Sequence, residues 1–130
     1  MKKKSNWDYY GVKIIKQIMV EGEPDPTLIN EFYADDGKQL FEESIIIMRA
    51  QSSEHACNLA EKKAIALGKP YPNAYGQQVI WKFIKTVDCS LIFGKLASGA
   101  EVYSCFHSTN DTADEFINKW FCRADDERKK

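Results

Sequence analysis

The stretch from Leu40 to Pro70 restricts the possible folds more than any other part of the chain. In its first part Ser44, Ile46 and Met48 alternate with Glu43, Ile45, Ile47 and Arg49. That is the two-residue period of a β-strand, and the unbroken apolar run Ile45 to Met48 calls for cover on both faces at its centre. A helix follows at once. Ser52 or Ser53 is its N-cap, and Ala56, Leu59, Ala60, Ala64 and Leu67 form an apolar stripe at helical spacing. Glu54, Lys62 and Lys63 fall on the wet side. Gly68 is placed to end the helix in the left-handed conformation, with Pro70 close behind.

The flanking segments extend the pattern. Trp7 to Val20 is rich in aromatic and β-branched residues, as strands are. Val12, Ile14, Ile18 and Val20 share one face of it, with Lys16 the exception, while Ile15 and Met19 face the other way. Glu21 to Pro26 breaks this strand; either Asp25 caps a short helix with Pro26 at its first position and Leu28, Ile29 and Phe32 on one side, or the whole connection is an irregular loop. Asp35-Asp36-Gly37 has turn chemistry. Tyr71 to Gly76 reads as a loop, Val79 to Val87 as a cleanly alternating strand, and Cys89 to Leu96 as another. Ala97-Ser98-Gly99 is a turn before a strand from Glu101 to His107, so that Leu91 to Phe93 and Val102 to Phe106 can pair as a hairpin. Thr112-Ala113-Asp114-Glu115 is a capping box for a final helix carrying Phe116, Ile117, Trp120 and Phe121. The expected fold is α+β: a mostly antiparallel sheet of four to five strands with two main helices packed on one face.

At 130 residues the chain fits one domain, placed at residues 7–122 between a basic tail at 1–6 and a charged tail at 123–130. Hydrophobic residues make up 44% and charged residues 28%, an ordinary globular balance. The net charge of −1, from 18 Lys and Arg against 19 Asp and Glu, speaks against general attraction to nucleic acid. No segment reads as a signal peptide or a membrane span. Cys57, Cys89, Cys105 and Cys122 are widely spaced without a C-x-x-C pair, so free thiols in a cytoplasmic protein are expected.

The run Glu42 to Ile47 leading into Ala50-Gln51-Ser52, the alanine-rich helix, Asn73-Ala74-Tyr75-Gly76, Trp81-Lys82-Phe83 and Glu101-Val102-Tyr103-Ser104 carry a resemblance. Together they resemble the bacterial domain-of-unknown-function family DUF4288, over about residues 7 to 107. The resemblance implies a small stand-alone bacterial protein and brings no activity and no site residues.

The residues themselves offer three candidate constellations. Cys105 and His107 share one side of the expected strand and could form a nucleophile and base, or two metal ligands; a thiol beside a strand-end histidine is the plainer reading. Glu42, Glu43 and Glu101 are candidate paired carboxylates, though charged residues on strands more often face water. The loop from Tyr71 to Gln78 combines two tyrosines with two flanking aromatics, Trp81 and Tyr103, as binding surfaces often do. Phosphate loops, zinc-protease motifs and nucleophile elbows are absent from the sequence. The expectation is therefore a non-catalytic binding or interaction module, an immunity-type partner being one form, with Tyr71, Tyr75, Trp81, Tyr103 and Glu43 as binding residues. No cofactor or metal is expected, and a protein partner or a homodimer built on the aromatic end helix is. The alternative is a small enzyme or ligand sensor using a pocket carboxylate or the Cys105/His107 pair.

Overall fold

The computed structural model describes residues 7–33 and 39–121. The tails at 1–6 and 123–130, Cys122 and the Asp35 to Gly37 turn lie outside the described residues. Four strands and two helices appear in the order β1 (Asp8–Glu21), β2 (Leu40–Ala50), α1 (Ser53–Ala66), β3 (Tyr71–Pro72), β4 (Gln78–Leu91) and α2 (Ala113–Phe121). The strands form one antiparallel sheet in the order β2-β1-β4-β3, so the expected α+β class holds.

β1 is central, and its even-numbered residues face α1. Tyr10, Val12 and Ile14 are buried against Ala50, Ala56, Ala60 and Ala64, with Ile46, Met48, Leu59 and Phe83 packed around them. Full burial of side chains the size of Val12 and Ile14 contributes about 1.5–3 kcal/mol each. The helix starts where expected: the Ser52 hydroxyl accepts the His55 backbone N–H at 3.1 Å. Its end differs. Gly68 does not take the left-handed conformation; its N–H instead reaches the Ile65 carbonyl at 3.1 Å. Glycine is needed there because a Cβ would stand 2.6 Å from the Trp81 carbonyl oxygen.

β4 is longer than expected, one continuous strand where two had been read. It is two residues longer than the length of β1 it pairs with, because Val87 and Ile84 bulge out of register beside Lys13/Ile14 and Ile15/Lys16. Of the two readings open for the segment after Asp25, a short helix or an irregular loop, the structure shows the irregular one, built of turns. Asp25 Oδ1 accepts from the Thr27 N–H at 2.9 Å and Asn30 Oδ1 from the Phe32 N–H at 3.0 Å, local bonds that compete with helix formation.

The expected strand from Glu101 to His107 and its hairpin do not form. With β1 paired on both sides, that segment runs across the outer sheet face instead of along an edge, and the Val102 carbonyl lies directly on Gly11. Among the described residues the segment has no ladder partner. α2 is also placed differently from expectation: its backbone stands apart from the sheet and from α1. Its capping box is present, with Thr112 Oγ1 accepting from the Glu115 N–H at 3.2 Å and Glu115 Oε1 from the Thr112 N–H at 3.1 Å. Its Phe116 and Trp120 rings flank His107 at 5.2 and 5.7 Å.

A Cβ at position 11 would collide with the Val102 backbone. Gly11→Ala is therefore expected to lower stability by about 1–3 kcal/mol and to raise amide exchange across residues 100–107, read by hydrogen–deuterium exchange and chemical denaturation. Unchanged exchange in that segment would mean it does not rest on β1.

Candidate functional site

The end of α1 and the end of the sheet frame a cavity of about 400 Å³ lined by Lys16, Glu42, Ala64, Leu67, Gly68, Lys69, Tyr71 and Trp81. Each wall follows from the fold. Lys16 continues the helix-facing row of β1, and cross-strand pairing sets it opposite Glu42, 3.3 Å away in an ion pair. On its other side Lys16 pairs with Phe83, and its ammonium lies 5.4 Å from the centre of the Trp81 ring. Tyr71 is fixed by the two-residue β3, which pairs with Val79 and Gln78. Its hydroxyl accepts the Trp81 indole N–H at 2.9 Å, leaving its own proton free to donate. The cavity thus combines an indole–phenol wall, an apolar floor from Ala64 and Leu67, and two ammonium groups against one carboxylate.

Of the expected binding residues, Tyr71 and Trp81 meet in this cavity. Tyr75 does not join them. Asn73 Oδ1 accepts from the Tyr75 and Gln77 N–H groups, each at 2.9 Å, and curls the loop so that Tyr75 points toward the 22–33 segment. There its hydroxyl bonds Asn30 at 3.0 Å and its ring meets Tyr33 edge-on at 4.9 Å.

Glu43 and Tyr103 lie on the opposite sheet face, in a polar cluster. Lys13 Nζ is 2.7 Å from Glu43 Oε1 and 5.5 Å from the centre of the Tyr103 ring. The hydrogen bond to Glu43 holds the lysine above its ordinary pKa. The Tyr103 hydroxyl donates to Asp88, which raises the phenol above the usual tyrosine range, since ionisation would break that bond and set a second negative charge beside the carboxylate. Cys105 Sγ stands 3.5 Å from His107 Nε2. Glu42 and Glu43 thus serve opposite faces, each with its own lysine, and do not form a carboxylate pair. Among the described residues no three His, Cys, Asp or Glu side chains converge as metal ligands. The thiols of Cys57, Cys89 and Cys105 are free. No described helix is long and apolar enough to cross a membrane.

Lys16, Lys69, Lys13 and Asp88 were not among the expected site residues. One signal was present: Lys16 interrupts an otherwise apolar strand face, and a charge in that position needs a partner.

Spectrophotometric titration, with Tyr103→Phe as the subtraction control, is expected to show Tyr103 ionising above the other tyrosines, and Asp88→Asn to bring it back toward them. Ionisation of Tyr103 within the ordinary range in the parent protein would refute the bond to Asp88.

Beyond the geometry, a family model described as Domain of unknown function (DUF4288) matches residues 9–104, a span that holds all of the sheet but Asp8, together with α1 and the groove. No curated protein and no solved structure matches the chain. By the extent of that match, the chain belongs to the DUF4288 family.

Proposed function

We propose that this chain is a non-catalytic binding module whose ligand enters the groove between α1, β3 and the ends of β1 and β4. The observation that carries the reading is the Trp81–Tyr71 wall, joined at 2.9 Å and faced by Lys16, in a cavity of about 400 Å³. Cavities of roughly 300–1,000 Å³ with mostly apolar walls and a few convergent polar groups are the usual form of small-ligand sites. Lys16 and Lys69 outnumber Glu42, and the Tyr71 proton is available, so the chemistry suits a planar or apolar group ending in an acid. Such a group on a protein surface would fit equally, and an immunity-type protein that occupies a toxin is one form of this module. The free thiols of Cys57, Cys89 and Cys105 support a reducing, cytoplasmic setting.

A second reading rests on the 3.5 Å approach of Cys105 to His107. A thiol and an imidazole within hydrogen-bond reach are the minimum for nucleophilic catalysis, and among the described residues the Phe116 and Trp120 rings are what flanks the histidine. Under that reading Cys105 is alkylated by iodoacetamide faster than Cys57 or Cys89, and His107→Ala removes the difference. The Cys89 thiol is a suitable internal reference, since burial beside Cys57 pushes it up to about 11.

The groove is tested by ¹H–¹⁵N spectra of the full chain titrated with a panel of aromatic carboxylates. Binding is expected to move the Trp81 indole N–H resonance saturably, and Trp81→Ala to abolish saturation. A panel that leaves the indole resonance in place up to millimolar concentration, or binds Trp81→Ala equally well, overturns the groove as the binding site.

A further inference from the structure

We infer that two copies of this chain pair through the outer edge of β2, antiparallel about Ile46, to form one continuous eight-stranded sheet. β2 is a terminal strand, and among the described residues nothing pairs with its outer side. It is eleven residues long, pairs with β1 without a bulge, and contains no proline or lysine. Those are the devices by which proteins normally protect an open edge. The other side of the sheet is protected: β4 carries two bulges, outward Lys82 and Lys85, and the short β3 over its first residues. The contrast singles out β2. On its outward face Phe41, Ile45 and Ile47 are exposed by 52%, 41% and 42%, interleaved with Glu43 and flanked by Arg49.

The occupant is identified by the strand's own order of charges. An antiparallel pairing about Ile46 sets each residue opposite the one whose number completes the same sum. Glu43 then faces Arg49 of the second copy, Ile45 faces Ile47, and the symmetry repeats both pairs. All of these residues lie on the outward face, so each pair is directly adjacent. Centring on Ile45 instead would set Glu43 against Ile47 and Arg49 against Phe41. Centring on Ile47 would set Arg49 against Ile45. Only the Ile46 centre joins charge to opposite charge and isoleucine to isoleucine. Arg49 forms no described ion pair within its own chain, and its guanidinium lies 5.6 Å from the Trp7 ring. The edge is separate from the ligand groove, so either inference can fail without the other.

Light scattering of the full chain is expected to give twice the 14.9 kDa chain mass at micromolar concentration. Glu43→Arg and Arg49→Glu each set like charges opposite one another twice, and each is expected to weaken association by about tenfold or more. Mixing the two variants restores both opposite-charge pairs in the heterodimer, so the mixture is expected to dimerise where each variant alone does not. Circular dichroism confirms that each variant is folded before mixing. A monomeric parent protein, a dimer indifferent to both reversals, or folded variants that fail to rescue one another would each overturn the proposal.

Discussion

The close seating of α1 on β1 is the contact on which the rest of the structure depends. Ala56, Ala60 and Ala64 present methyl groups alone to the sheet, so the helix backbone can approach Val12 and Ile14 closely. That approach leaves little room for variation at the helix end. Gly68 lies against the Trp81 carbonyl, and the chain must turn there into β3. Tyr71 is thereby delivered to the Trp81 indole, and the groove is closed on one side by the same helix that covers the core. A larger residue in the alanine row would lift the helix and open the groove together.

The parts of this arrangement set by local chemistry were legible in the sequence. The Thr112–Glu115 box, the Ser52 cap, the alanine stripe and the alternation of β2 each concern neighbours within one or two turns. What escaped depended on distant pairing. Tyr71 and Trp81 were both marked as binding residues, but their partner Lys16 comes from a strand more than fifty residues earlier, in a register set by two bulges. Tyr103 is expected beside them because Glu101 to His107 reads as a strand, and the structure gives that segment no ladder partner among the described residues. Only the packing of the sheet decides that this segment crosses Gly11. The glycine at 68 was rightly singled out but for a different reason, since close approach and left-handed geometry both demand a missing Cβ.

The two faces of the sheet divide the charge between them. Lys16 and Glu42 meet on the helix side, Lys13 and Glu43 on the outer side, and in both cases adjacent strands supply the partners. A chain near electrical neutrality thus places lysines on both sides of its central strand without leaving either uncompensated. On the helix side the ion pair borders an aromatic cavity; on the outer side it is crossed by the segment that carries Tyr103 and Cys105.

The paired bulges of β4 bear on how this strand can change length. Each bulge shifts the odd–even alternation of β4 by one residue while the ladder with β1 continues, and the second restores the original numbering. Trp81 and Phe83 before the pair, and Cys89 after it, consequently all face the helix. Loss of either bulged residue, Ile84 or Val87, would leave every other pair of the ladder in place, so Asp88 would stay on the outer face and Cys89 on the helix side. Loss of both would shorten the strand and keep every flanking side chain on its present face. β4 can therefore lose one residue or two at these positions without changing the face that any neighbour takes.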